Sequence, residues 1–404
     1  MKIISTSKFD VVDINKNVVK TDNEVDINQR LSDNDNTIKL AYICNWNQQC
    51  GISTYSKFIF DELKYKVNEY KIFSEYPQNN FQIVEDYDEI SYCWKRGENL
   101  RNLISKIKEY NPNFILIQHE WGIFPNAGYF MSFITELKRL HIPTTAILHS
   151  VYDHEDKLIP ISILDNVIVH SDNAKNLLTK SKFKGNIFII PHGCPDIKKY
   201  EEVWNIFQTP YLIFGYGFGF KYKGVEVAID AIKYLRDIDP KFKNILYIYV
   251  CSESETNKGI HDNYYSILSE KVEKENLQDN VLLIKGFLEP EMLDIYLRTV
   301  KMVLFPYVSD PKGGVFGSSG AIKIAMSYNI PVVASTSHLF DDVDGYVLRV
   351  NDYKELANEI DKLFSNGNYK DKTINKAHEF ITNNTWSISS DRYIDVIKQI
   401  KQKY

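Results

Sequence analysis

Residues 316–335 read FGSSGAIKIAMSYNIPVVAS. Two serines bracketed by glycines open a short apolar helix-like run. The free N–H groups and hydroxyls of such an entrance suit a phosphate or carboxylate. Capping explains one serine but not the flanked pair, so Ser318, Ser319, Gly320 and Ala321 are candidate anion-binding residues. A second turn, FGYGFGFKYKG at 214–224, concentrates Gly215, Gly217, Gly219 and Gly224, four of the 18 glycines in the chain. Glycines at a strand-to-helix turn let backbone amides approach a phosphate. The spacing fails the dinucleotide fingerprint, because Phe220 and Tyr222 stand where its third glycine is required. Lys221 and Lys223 sit where a helix dipole disfavours cations unless an anion is near. Both are solvated side chains or they contact a phosphate, and the second anion site favours contact. Gly217 and Lys223 join the candidates, and two anion sites together suggest a diphosphate.

Three more polar residues fall where strands should end: His119 and Glu120 after FILIQ, and His149 closing TTAILHS. Metal ligation is not expected. HEWGI lacks the second histidine of a zincin helix, and no cysteine accompanies either that cluster or His154 with Glu155. Asp342-Val343-Asp344 matches a short Asp-x-Asp pattern, but Asp237-Ile238-Asp239 shows how readily that spacing recurs.

These residues need a scaffold that places strand ends together. Strands alternate with helical patterns through the body of the chain: TIKLAYIC at 37–44, FILIQ, TTAILHS, DNVIVHS and NIFIIPHG in one half, YLIFGYG, ILYIYVCS, NVLLIKG and MVLFPY in the other. Continuously apolar strands separated by helices indicate parallel sheets covered on both faces. Ser53 is the expected N-cap of the first helix, and Asn329 the expected left-handed stop before Pro331. The expected organisation is a loose arm over 1–36, one Rossmann-like domain over 37–200, a second over 201–380, and a helix over 381–404 packing back on the first. In such sheets ligands bind outside the carboxyl ends of the strands.

Composition sets the outer limits. The 404 residues are 44% hydrophobic and 25% charged, which suits a folded chain of two domains. The formal charge of −5 argues against a nucleic-acid partner, although a total does not show a local basic groove. Five scattered cysteines without a Cys-x-x-Cys pair are read as reduced thiols. The sequence has neither a long apolar run nor a signal-like start, so the expected location is the cytoplasm, free or peripheral to the inner face of a membrane.

Taken together, CGIST (50–54), QHEWGIF (118–124), LHS (148–150), PHG (191–193), the FGYGFGFKYKG turn and SSGAIKIAMSYNIPVVAS resemble the retaining glycosyltransferases of family 4. The resemblance runs from about Thr37 onward and implies the GT-B fold, two doubly wound domains facing across a cleft. It also implies transfer of a sugar from a nucleoside diphosphate sugar to an acceptor hydroxyl with retention of configuration, with no metal and no cofactor beyond the donor. By the family pattern, Lys223 contacts the diphosphate, the amides of Ser319 and Gly320 hold its far end, Gly51 lets the first-domain loop approach the donor, and His149 stands near the transferred sugar. Glu120 is the remaining catalytic candidate.

The chain also departs from that pattern. Phe316 and Ile324 occupy the places of the usual glutamate pair and Phe218 that of an arginine; QHE-x-GIF together with Ser-Ser-Gly resembles a branch of the family that also lacks those glutamates. The acceptor is left open among glycans, lipid-linked sugars, proteins and other hydroxyl compounds. Two other readings stay open: a GT-B sugar-nucleotide epimerase, which needs carboxylates in the cleft, and a non-catalytic sugar-nucleotide binding protein.

Overall fold

The computed structural model describes residues 37–48, 50–77, 88–200, 209–253, 258–308 and 314–404. The expected N-terminal arm, and residues 201–208 of the expected boundary, lie outside the described residues.

The apolar runs become two parallel sheets. The first comprises β1 (Lys39–Cys44), β2 (Glu69–Glu75), β3 (Ile90–Trp94), β4 (Phe114–His119), β5 (Thr144–Leu148), β7 (Asn166–Val169) and β8 (Asn186–Ile189), in the order β3-β2-β1-β4-β5-β7-β8. The second comprises β9 (Leu212–Phe218), β10 (Leu246–Ser252), β11 (Val281–Lys285), β12 (Met302–Phe305), β14 (Val332–Ser335) and β15 (Leu348–Val350), in the order β11-β10-β9-β12-β14-β15. The two orders follow one Rossmann-like rule: each sheet starts in its middle, winds outward one way, and restarts beside its first strand. The crevices at the carboxyl ends of β1/β4 and β9/β12 are therefore where side chains from separate loops converge.

A short antiparallel ribbon joins the halves. Strand β6 (Ser150–Tyr152), just after β5, pairs with β13 (Val315–Gly317) in the register Val151 to Phe316. Asp153 N–H extends the ribbon to the Gly314 carbonyl at 3.1 Å. A side chain at Gly317 would place its Cβ 2.5 Å from the His149 carbonyl oxygen, so the ribbon closes only on a glycine.

The C-terminal helix, Trp386–Lys401, packs on the first domain. Its Tyr393, Ile397 and Ile400 belong to the same core as Tyr42, Tyr55 and Ile59. Tyr393 and Tyr55 share a buried hydroxyl–hydroxyl bond of 2.6 Å.

Two local expectations are corrected. Cys50, not Ser53, caps the helix Gly51–Leu63: its sulfur accepts from Ser53 N–H, and the Ser53 hydroxyl accepts from Gln48 N–H at 3.0 Å. Asn329 is not left-handed. The helix Gly320–Met326 ends at Ser327 in a right-handed conformation, and Asn329 N–H donates to the Tyr200 hydroxyl.

Candidate active site

Between the carboxyl ends of the two sheets lies a cavity of about 510 Å³. Gly51, Glu120, His149, Gly217, Lys223, Ser318, Ser319, Gly320 and Ala321 all line it. The structure thus brings these nine residues together, whereas Lys221 and His119 are not among the described lining residues.

The two lysines of the glycine-rich turn have different fates. Lys221 is exposed, whereas Lys223 is only 9% exposed. A tight 3-10 turn over Lys221–Lys223 puts Lys223 under the strand, and Gly224 ends that turn at φ +62°. A Cβ on Gly224 would stand 2.0 Å from the Pro306 carbonyl oxygen, so the turn needs glycine for both space and backbone conformation. The Lys223 ammonium donates to the Tyr307 hydroxyl at 2.5 Å and lies 4.0 Å from the centre of that ring. Among the described residues it makes no ion pair. Burial lowers its pKa, opposed by Tyr222, and a bound anion would reverse that shift.

Tyr307 joins the glycine-rich turn to the Ser-Ser-Gly turn, because its hydroxyl lies 3.5 Å from Ser319 Oγ. The serines themselves do other work than capping. Ser319 precedes the helix but its side chain caps nothing, and its N–H donates to the Leu339 carbonyl at 3.1 Å. The expected Ser319 amide is therefore spent within the fold, and the amides of Gly320 and Ala321 open the helix. Ser318 Oγ donates to Asp342 at 2.6 Å and accepts from Lys323 at 2.7 Å.

Lys323 is the residue that the sequence reading passed over. It sits in the apolar helix, 0% exposed, and pairs at 2.7 Å with Asp342, whose side chain is also 0% exposed. A lysine on the buried face of a short apolar helix was the available signal. The pair also decides the fate of Asp342-Val343-Asp344: Asp342 is taken by Lys323, while Asp344 is exposed beside Arg349. Among the described residues, no group of three histidine, cysteine, aspartate or glutamate side chains is placed to hold a metal.

On the first-domain side, His149 follows β5 directly. Its tautomer can be read from a chain anchored on a backbone carbonyl: Tyr42 O–H donates to Ser56 O at 3.1 Å, Gln118 Nε2 donates to Tyr42 at 2.6 Å, and Gln118 Oε1 must then accept from His149 Nε2–H at 2.6 Å. Nδ1 is left as the ring's acceptor. Burial holds the His149 pKa well below the usual value, helped by His170 and His119.

His149 is one of four histidines at the ends of neighbouring strands, with His119, His170 and His192. Three of these rings, His149, His170 and His192, surround Tyr55 at 4.8–5.6 Å between centroids. His119 is instead packed against Trp121, Phe124 and Phe130, and burial pulls its pKa down to about 3. Glu120 Oε1 accepts from Trp121 N–H at 2.9 Å and Tyr152 O–H at 3.1 Å. Burial raises its pKa against the pull of these and other donors.

With this geometry in place, the comparisons with known proteins can be read. Residues 196–380 match the model of the family described as glycosyl transferases group 1. No curated protein sequence matches the chain. Solved structures show the fold: a trehalose-6-phosphate synthase, OtsA, superposes with a TM-score of 0.71 at 12% identity, over 89% of this chain and 99% of that one. Sucrose-phosphate synthase from Thermosynechococcus elongatus gives 0.70 at 16% identity, over 91% and 100%. A glycosyltransferase from Rickettsia africae gives 0.69 at 14%, also over 91% and 100%. The two Rossmann-like domains and their facing cleft are thus the GT-B fold, and the matched family segment contains both the glycine-rich turn and the Ser-Ser-Gly turn.

Proposed function

We propose that the protein is a glycosyltransferase that moves a sugar from a nucleoside diphosphate sugar to an acceptor hydroxyl, with retention and without a metal. The observation that carries this reading is Lys223, an ammonium buried at a cavity wall with no carboxylate partner among the described residues and tied through Tyr307 to the Ser-Ser-Gly turn. Burying such a charge is costly unless an anion completes the site.

In the reaction, the acceptor oxygen bonds to the anomeric carbon as the bond from that carbon to the diphosphate oxygen breaks. The electron pair departs with the nucleoside diphosphate, and the acceptor's proton leaves on it. Lys223 and the amides of Gly320 and Ala321 stabilise the developing negative charge, a task that elsewhere falls to a metal ion. Neutral His149, fixed by Gln118, offers Nδ1 to a sugar hydroxyl, and Glu120 accepts a hydroxyl hydrogen bond. Retention is supported by the likeness to a trehalose-6-phosphate synthase studied for glycosyl transfer with retention. The substitutions of the family's glutamates are accommodated locally: Phe316 stacks on His338 at 4.2 Å between centroids, and Ile324 lines the cavity.

A thermal-shift screen of UDP, GDP, ADP and their sugars identifies the donor, and release of the nucleoside diphosphate reports turnover. Lys223→Ala is expected to cut sugar transfer by about 10²–10³-fold with the fold intact. Undiminished turnover in that variant would sink the assignment. Glu120 is the only carboxylate among the described lining residues, so an epimerase is disfavoured, and the donor incubated alone should come back unchanged.

A further inference from the structure

The cavity is electrically two-sided. Its lysines among the described lining residues, Lys223 and Lys323, both stand on the second-domain wall, and of the two only Lys323 is neutralised by an ion pair there, with Asp342. The opposite wall, built by the first domain and the returning C-terminal helix, carries one charged side chain there, Glu120. It also carries an aromatic surface where Phe58 and Trp386 meet at 5.5 Å between centroids, and Phe58 is 43% exposed. An apolar wall with a single hydrogen-bond acceptor orients a ligand by shape and by its hydroxyls rather than by charge.

We propose, resting on the glycosyltransferase reading above, that the acceptor is an uncharged sugar or glycoside, and that acceptors bearing phosphate or carboxylate are rejected. A hydroxyl donates to the Glu120 carboxylate in a charge-assisted bond. A phosphate in the same place meets a like charge, and the donor's diphosphate already occupies Lys223, while Lys323 is neutralised by Asp342. Discrimination therefore comes from an unpaired charge set against the wrong partner as well as from contacts with the right one. The Phe58 ring supplies the apolar face against which a sugar ring or an aglycone rests.

The test measures binding, so it does not depend on turnover. The whole protein, saturated with whichever of UDP, GDP or ADP raises its melting temperature, is titrated with glucose, glucose 6-phosphate, mannose, mannose 6-phosphate and phenyl glucoside, with saturation-transfer NMR as the readout. The neutral member of each pair is expected to bind at least tenfold more tightly, and phenyl glucoside more tightly than glucose. Glu120→Gln is expected to narrow the neutral-to-phosphate ratio without changing nucleotide affinity, which loss of packing alone would not do. Phe58→Ala is expected to weaken phenyl glucoside more than glucose. Equal or tighter binding of a phosphorylated member, or no binding of any neutral member, overturns the inference while the donor reading stands on nucleotide binding and its loss in Lys223→Ala. If no nucleotide binds, the donor reading itself fails, and this inference fails with it.

Discussion

The two halves of the molecule share a strand order but put opposite chemistry at the ends of their strands. In the first domain, neighbouring strands end in His119, His149, His170 and His192, and burial keeps all four rings neutral. In the second, the equivalent edge presents Lys223 and Lys323 with Tyr307 between the loops. Topology fixes where a ligand lies; the residues just past each strand fix which part of the ligand lies on which wall. One wall carries a buried ammonium without a carboxylate partner among the described residues, the other a row of neutral imidazole rings.

The sharpest way to break the contrast is to remove Asp342. Asp342→Ala leaves the Lys323 ammonium buried and unpaired, and the expected loss is about 3–5 kcal/mol of stability, read by denaturant unfolding. Lys323→Met in that background should recover part of it, because an apolar side chain no longer needs the carboxylate. Next in size is Lys223→Ala, for which the expected fall in kcat is about 10²–10³-fold, as for loss of one preplaced donor to a developing negative charge.

The histidine wall answers to pH. A ring whose folded pKa is depressed adds stability above its unfolded value of about 6.5, and that stability is lost as pH falls toward the folded value. For His119 the decline continues down to about 3, at about 1.4 kcal/mol per pH unit for each such ring. Melting temperatures across pH 7 to 4 check this, and His119→Phe should flatten the slope. The smallest effect is expected for Lys221→Ala. This exposed neighbour of Lys223 should change stability by no more than about 0.5 kcal/mol and leave nucleotide binding intact, as isothermal titration of the donor would show.

Much of this was legible in the sequence because it is local. Alternating apolar strands and helical patterns gave the two doubly wound sheets, and glycine-rich or polar turns after strands marked the cavity. What escaped depends on contacts between distant segments. Lys323 finds Asp342 from another element, Tyr307 follows β12 with no motif around it, and His170 and His192 matter only because β7 stands beside β5 and β8 beside β7. The ribbon of β6 and β13 is three residues a side, too short to show a period of two. Cys50 displaced Ser53 as the cap because the chain turns into the helix three residues earlier than serine preference suggests, which leaves Ser53 in the first turn as a support for the Gln48 amide.

The returning helix Trp386–Lys401 also bears on how the protein is made. Tyr393, Ile397 and Ile400 complete a core whose other members are encoded near Tyr42, Tyr55 and Ile59. On the ribosome, the first domain therefore waits with one apolar face uncovered until the second has been synthesised. A message truncated before Trp386 yields a chain that keeps both strand sets yet exposes that face to chaperones and proteases.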